Sequence, residues 1–183
     1  YFFSLDNYGD ENYQIYKLDL ETNKYEKLFG NNKARATIAD YSNSGKYVYI
    51  RSNHENEKIY RIYKLNLSNK RIEAISPKDI SFDGIKVDYQ DKKAALYKAH
   101  GNNEIHLYML DIENKGLQKL FSKKKTMYVP SFFHPNENKL YLNTDHESDR
   151  IGCAFINLNA PKKINWARKS NNKDIECYYG RLR

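Results

Sequence analysis

A short strand-like motif recurs four times along the chain, at a spacing of about 46 residues. Within the first copy, the apolar residues Tyr16 and Leu18 alternate with the charged residue Lys17, and this period of two is typical of a strand with unequal faces. The starts of successive copies lie 47, 45 and 46 residues apart, and the copies are Ile15–Leu20, Ile62–Leu67, Leu107–Ile112 and Cys153–Leu158.

Other short apolar segments accompany each copy of the motif. One precedes every copy, as Tyr47–Ile50 precedes the second, and another follows each of the first three copies after a turn, as Leu120–Phe121 follows the third. Four short strands in about 46 residues are the unit of a β-propeller blade. Helical solenoids have similar periods, but they need apolar residues three and four positions apart, which these segments lack. The sequence therefore predicts an all-β fold of four-stranded antiparallel blades with almost no helix.

The repeat also predicts where the blades lie and which side chains they bury. Leu65 and Leu110 hold the same place in successive copies and should be almost fully buried, whereas Lys64 should be solvated on the opposite face. A possible innermost strand, Asp174–Tyr179, lies in the last segment, which either starts a further blade or supplies a closing strand. The predicted segments are residues 1–29, 30–76, 77–121, 122–166 and 167–183.

Charge and cysteine content limit the classes of partner. The net charge of +8 and the run Lys123–Lys125 would suit nucleic acid, but lysine is abundant along the whole chain and no recognition helix is predicted. No apolar run approaches the length of about 20 residues that a membrane helix needs. We therefore expect neither nucleic acid nor membrane as a partner. The spacing of Cys153 and Cys177 fits no metal site, and the two thiols are either free or paired; the compartment stays open, with the cytoplasm slightly favoured.

Three histidines follow the period of the repeat. His54, His100 and His146 are 46 residues apart, and Tyr8 stands one period before the first. Equivalent loops of successive blades are spread around a rim at distances of about 10 Å or more, whereas metal ligands must lie about 2 Å from the ion. These side chains are therefore predicted to serve turns rather than a metal. His106, beside Leu107, is predicted to be solvated or to contact the neighbouring strand.

The segment Gly9–Leu20, followed by Glu21, Thr22 and Asn23, resembles the amino-terminal propeller of the prolyl oligopeptidase family. The resemblance is to the acylaminoacyl-peptidase-like and dipeptidyl-aminopeptidase-like members, in which an acidic Gly-Asp-Glu-Asn loop precedes a Tyr-x-Leu-Asp-Leu strand. The Asp-Leu strand alone is shared with the periplasmic propeller of the Tol system. Family propellers have seven or eight blades, so the resemblance implies about four blades of a larger ring and an open arc. Because the chain begins at Tyr1 without an initiator Met, we expect it to be a fragment.

The resemblance implies a serine peptidase whose chemistry lies outside this chain. The family nucleophile occupies a Gly-x-Ser-x-Gly turn in an α/β-hydrolase domain, and no two glycines here are four residues apart. We therefore expect no catalytic residue, no cofactor-binding residue and no metal ligand in this chain. Its implied role is to admit only short peptides to the hydrolase domain, which is its expected partner together with the peptide substrates.

Two other functions remain open from the sequence. The first is a non-catalytic propeller that binds partner molecules, as the propeller of the Tol system does. The second is a lyase or lactonase with a site in the propeller channel, for which only Asp40 and Asp88 lie near inner-strand positions. The many Tyr and Phe residues are interpreted as packing between blades rather than as a surface on which a ligand stacks.

Overall fold

The computed structural model describes residues 1–178, which form fifteen strands and no helix. They divide into two compact units, of which the first runs from Tyr1 to Phe82 and the second begins at Asp83. Within the described residues, no helix of the length and apolar character needed to cross a bilayer is present.

Two antiparallel sheets make up the first unit, and each joins strands that are consecutive in the chain. The three-stranded sheet consists of β1 (Phe2–Leu5), β2 (Gln14–Leu18) and β3 (Tyr25–Phe29). The four-stranded sheet consists of β4 (Ala36–Tyr41), β5 (Tyr47–Ser52), β6 (Arg61–Asn66) and β7 (Ile72–Ala74).

The second unit contains two four-stranded sheets of the same kind. One consists of β8 (Gly84–Val87), β9 (Lys93–Ala99), β10 (Ile105–Asp111) and β11 (Leu117–Phe121). The other consists of β12 (Tyr128–Phe133), β13 (Lys139–Thr144), β14 (Gly152–Asn157) and β15 (Ile164–Arg168). A four-stranded antiparallel meander that recurs every 46 residues or so is a propeller blade, and the all-β propeller fold predicted from the sequence is confirmed.

Each unit has its own apolar core, to which both of its sheets contribute. Burying a large apolar side chain contributes about 1.5–3 kcal/mol, so these cores account for much of the stability of each sheet pair. In the first unit the buried residues are Ile15, Phe29, Ala36, Val48, Ile50, Tyr63 and Leu65. In the second they are Ala95, Leu107, Tyr128, Phe133, Leu140, Leu142, Ala154 and Ile156.

The polar residue near the end of each repeated motif closes the turn that follows. The side-chain oxygen of Asp19 accepts hydrogen bonds from the backbone N–H groups of Glu21 and Thr22, at 2.9 and 3.2 Å. Asn66, Asp111 and Asn157 accept equivalent bonds in their own copies. Asp and Asn are favoured at such positions because their short side chains reach backbone groups two residues ahead. The repeated Asp or Asn is therefore a turn determinant.

The predicted burial is confirmed for both leucines, since Leu65 and Leu110 are each 0% exposed. Lys64 is partly buried rather than fully solvated, because its ammonium lies 4.0 Å from the centre of the Tyr47 ring.

Strand β15 extends to Arg168, two residues past the predicted end of the last blade. A further close approach involves Gly152 in β14, where a Cβ atom would overlap the Trp166 ring of β15.

The carboxyl-terminal segment differs from the expectation of an innermost strand. The described part of Asp174–Tyr179 forms no strand, and Tyr179 itself lies outside the described residues. Its hydrogen bonds instead go to side chains and loop backbone of the last sheet. The N–H of Ile175 donates to the Ile151 carbonyl at 2.9 Å, and the N–H of Cys177 donates to Asn143 Oδ1 at 2.6 Å. These bonds pair part of the backbone of the segment without a ladder of strand pairs.

Candidate functional site

The three periodic histidines have different surroundings. The His54 ring contacts the rings of Phe29 and Tyr63, with centroids 5.4 and 5.7 Å apart. His146 Nδ1 lies 3.0 Å from the Tyr128 hydroxyl. His100 lies against a second histidine, His106. Each of the three rings therefore contacts a different set of side chains.

The group around His54 borders a solvent-accessible cavity of about 430 Å³ in the first unit. Burial, followed by the nearby carboxylate of Glu55, raises the pKa of Tyr63 to about 12. Its hydroxyl is buried without a hydrogen-bond partner, and Arg61 forms an ion pair with Glu55. A phenol with so high a pKa stays protonated at neutral pH and is a poor general base. The cavity therefore offers polar contacts but no activated nucleophile. Its lining residues are Lys27, Leu28, Phe29, Gly30, Asn31, His54, Glu55, Tyr63, Ile72 and Ala74.

The group around His100 lies at the hairpin between β9 and β10. The ring centroids of His100 and His106 are 3.9 Å apart, and His106 Nε2 is 2.9 Å from Glu104 Oε1. The second carboxylate oxygen, Glu104 Oε2, accepts the backbone N–H of Lys125 at 3.1 Å. Each of the three residues offers one possible ligand atom, and these atoms all lie within 4.8 Å of one another. Within residues 1–178, no other set of three His, Cys, Asp or Glu residues meets this condition.

Charge and burial at this hairpin act on both kinds of group. The pKa of His100 is lowered, first by partial desolvation and then by the charges of His106 and Lys98. The pKa of Glu104 is lowered chiefly because the backbone N–H of Lys125 donates to its carboxylate. At neutral pH the hairpin therefore presents a neutral His100 imidazole beside an ionised carboxylate. This is the protonation state in which both groups bind metal ions.

Sequence reasoning did not identify this group because it compared histidines of different blades. His106 is predicted to be solvated or to contact the neighbouring strand; it is buried, with 8% of its surface exposed, and its ring contacts His100 across the hairpin. The available signal was local. Glu104 directly precedes β10 and lies two positions before His106 in extended chain, so the two side chains share a face, and the backbone N–H of His100 donates to the Glu104 carbonyl across the hairpin.

The inner-strand carboxylates considered for a lyase or lactonase serve the backbone. Asp88 Oδ1 accepts the N–H groups of Lys92 and Lys93 at 2.8 and 3.1 Å. Asp40 Oδ1 accepts the N–H of Tyr41 at 2.9 Å. One period after Asp88, His134 Nδ1 accepts two backbone N–H groups in the same kind of turn. These side chains therefore stabilise local backbone structure by accepting hydrogen bonds from nearby N–H groups.

The two cysteines are joined. Cys153 and Cys177 form a disulfide with Cα atoms 5.0 Å apart, although they are 24 residues apart in the chain. Cys153 stands at the repeat position that Ile15, Ile62 and Leu107 hold in the other copies. The hydroxyl of Ser131 donates to the Cys177 carbonyl. The bond therefore holds the carboxyl-terminal segment against the last sheet, at a position where the other sheets carry a buried aliphatic residue.

Comparison with known proteins supports the fold and leaves the family open. Neither a protein-family model nor a curated protein matches the chain. Among solved structures, one of two prolyl endopeptidases matches 93% of the chain with a TM-score of 0.74 and 13% identity. A puromycin-hydrolysing peptidase from Mycobacterium tuberculosis matches 91% with a TM-score of 0.72 and 12% identity. TolB from Acinetobacter baumannii matches 90% with a TM-score of 0.68 and 14% identity. The chain spans 27%, 27% and 40% of their respective lengths.

Proposed function

We propose that this chain is the non-catalytic propeller part of a serine peptidase of the prolyl oligopeptidase type. The observation that carries the proposal is the extent of the two peptidase matches. More than nine-tenths of this chain superimposes on each peptidase, and it spans about a quarter of each. The Gly9–Leu20 segment, which resembles the propeller of that family, points the same way.

In this role the propeller limits which substrates reach the active site and takes no part in the chemical steps. Stacked sheets with fully buried cores form a stiff scaffold, and a stiff scaffold beside an active site excludes substrates too wide to pass it. Short or unfolded peptides then reach a hydrolase domain outside this chain, whereas folded proteins do not. The nucleophile, base and orienting acid belong to that domain.

Other observations support the second candidate function, a non-catalytic propeller that binds partner molecules. TolB matches 90% of the chain, and the chain spans 40% of TolB, a larger share than for the peptidases. The disulfide Cys153–Cys177 also bears on this choice, because disulfides persist in oxidising compartments such as the periplasm and are rare in the cytoplasm. An oxidising compartment is therefore proposed in place of the cytoplasm that the sequence slightly favoured.

The test is to extend the coding sequence past Arg183 and treat the complete translation product with a fluorophosphonate probe. We expect labelling of one Ser in a Gly-x-Ser-x-Gly turn outside this chain, and cleavage of a short chromogenic peptide. The same peptide sequence placed in a loop of a folded carrier protein should resist cleavage.

The matched control is the chain of residues 1–183 alone, which should be neither labelled nor active. A complete product without a reactive Ser would overturn the peptidase proposal and leave the binding propeller. Labelling of a Ser within residues 1–183 would contradict the non-catalytic role. Equal cleavage of the free and the folded substrate would contradict the role in access.

A further inference from the structure

We propose that His100, Glu104 and His106 bind a divalent transition-metal ion, and that Zn²⁺ suits their donor atoms best. This site is independent of the proposed peptidase role. The periodic histidines His54, His100 and His146 belong to different blades, whereas the three residues of this site belong to one hairpin of one blade.

The hairpin brings the three side chains to one place. Backbone pairing sets His106 opposite Lys98 and Ile105 opposite Ala99. The N–H of His100 donates to the Glu104 carbonyl at 2.8 Å and closes the loop between β9 and β10. Side chains of directly opposed and diagonal residues on one face of an antiparallel pair are within reach of one another. The strand register therefore brings the three residues together at one end of this hairpin.

His106 is the buried member of the cluster, and its Nε2 atom lies 2.9 Å from Glu104 Oε1. Because Nε2 is the ring nitrogen that faces the carboxylate, it is the His106 atom that would bind the ion. The Nδ1 atom, on the other side of the ring, is buried without a hydrogen-bond partner and does not face the cluster. The His106 ring stacks on His100, so an ion bound within this cluster would engage a ring that is already desolvated.

Two imidazole nitrogens and one carboxylate oxygen are a common ligand set for Zn²⁺. The ligand atoms lie within 4.8 Å of one another, whereas donors about 2.0–2.2 Å from one zinc ion are closer together than that. The difference requires a small movement, which His100 can make because its side chain is exposed. Three protein ligands would leave the fourth position of a tetrahedral ion for water or for an acidic group of a bound molecule.

Neighbouring groups support the carboxylate and limit the affinity. The backbone N–H of Lys125 holds Glu104 Oε2, and a hydrogen bond of this kind orients a carboxylate ligand. Lys98 and Lys119 lie close enough to influence the charge of His100, and their positive charges oppose a cation. We therefore expect an affinity below that of a site with the same three ligands and no positively charged neighbours.

The experiment titrates Zn²⁺ into the untagged, oxidised chain by isothermal titration calorimetry. One equivalent should bind, and His100→Ala should reduce the affinity by about 10-fold or more. Because the His100 side chain is exposed, this variant should keep the wild-type circular dichroism and melting curve. A Co²⁺ titration gives an independent readout, since tetrahedral Co²⁺ has visible absorption bands that Glu104→Gln should weaken.

The matched control is His134→Ala. His134 also lies beside a carboxylate, with its Nε2 3.3 Å from Glu137 Oε1, but that pair is not part of a three-residue cluster. The control should bind Zn²⁺ as the wild type does. Absence of binding by the wild type would overturn the proposal. So would equal affinities of wild type and His100→Ala, or an equal loss in the His134→Ala control.

Discussion

The hexapeptides Ile15–Leu20 and Ile62–Leu67 differ at one position, Asp19 against Asn66, yet the first unit buries them to different extents. In the second hexapeptide, Tyr63 is 2% exposed and Leu65 is fully buried. Their counterparts Tyr16 and Leu18 are only half-buried, and Leu20 is 57% exposed whereas Leu67 is partly buried.

The difference comes from what lies on each face of the two sheets. Tyr63 and Leu65 belong to the core between the sheets, together with Ile15 of the first hexapeptide. The Tyr16 ring belongs instead to an aromatic group with Phe3 and Tyr25, with ring centroids 5.5 and 5.8 Å from its own. Within the described residues of this unit, no second sheet covers that group. The same residue types therefore differ in burial because a neighbouring sheet covers the face that carries Tyr63 and Leu65, whereas no sheet described in this unit covers the face that carries Tyr16.

The largest expected effect is that of truncating the equivalent leucines. Leu65→Ala should lower the free energy of unfolding by about 2–5 kcal/mol, because it removes a fully buried side chain and leaves a cavity. Leu18→Ala should cost about 1 kcal/mol, since its side chain is only half-buried. Chemical denaturation of the two variants measures the difference. Equal losses would show that a further surface covers Leu18 as fully as the sheet β1–β3 covers Leu65.

The fourth copy extends the comparison, because Cys153 replaces the isoleucine of the first two copies. Replacing Cys153 and Cys177 together by Ser should lower stability by about 2–4 kcal/mol, since the bond closes a loop in the unfolded chain. It should also expose the carboxyl-terminal segment to proteases. The control is Ser131→Ala, which removes one hydrogen bond to Cys177 and leaves the disulfide. If proteolysis of that segment is unchanged in the double variant, the remaining hydrogen bonds are sufficient to hold it.

The tyrosine hydroxyls give a smaller contrast. The Tyr63 hydroxyl is buried without a partner, so Tyr63→Phe should be neutral or stabilising by up to about 1 kcal/mol. Tyr16→Phe should change little. Because burial raises the pKa of Tyr63 to about 12, the folded state holds this proton more tightly than the unfolded state. The stability of the folded state is therefore unaffected by this group below its ordinary pKa of about 10 and falls as the pH rises from there towards 12.

Denaturation at pH 9 and pH 11.5 tests this sign. The wild type should lose more stability over that interval than Tyr63→Phe, whereas Tyr16→Phe should follow the wild type. A loss of stability at neutral pH in Tyr63→Phe would indicate that the hydroxyl has a hydrogen-bond partner in solution.

The smallest effect concerns the one position at which the hexapeptides differ. Backbone N–H groups of Thr22 and Glu21 donate to Asp19 and lower its pKa. The stability that this carboxylate provides is therefore present above about pH 4 and is lost as the pH falls further. Asn66 makes the same turn without a titrating group. Asp19→Asn should reduce the loss of stability between pH 7 and pH 3, and Asn66→Asp should increase it. Identical acid profiles for all three proteins would contradict the assignment.

The local alternation of apolar and polar residues was sufficient to predict the strands but not the conformation of the carboxyl-terminal segment. Alternation fixed β6 and β10, because a strand with one apolar face has a period of two whatever its neighbours are. Asp174–Tyr179 has a similar pattern, but in its described part a disulfide and hydrogen bonds to the last sheet take the place of strand pairing. Such contacts depend on residues more than twenty positions away, which no local pattern contains.

The candidate metal site shows the same division. The spacing of His100, Glu104 and His106 was visible in the sequence, but whether the rings meet depends on the hairpin register and on the burial of His106. Their proximity therefore followed only from the paired strands.

The sequence by itself determined the repeat, the strand faces and the residues that close the turns, because each depends on neighbours a few positions apart. Only the tertiary structure decided which of two nearly identical hexapeptides is buried, where the carboxyl-terminal segment lies, and which histidine acquires a carboxylate and a second imidazole. Burial and proximity are properties of packed surfaces, and the packing of one sheet depends on the sheet beside it.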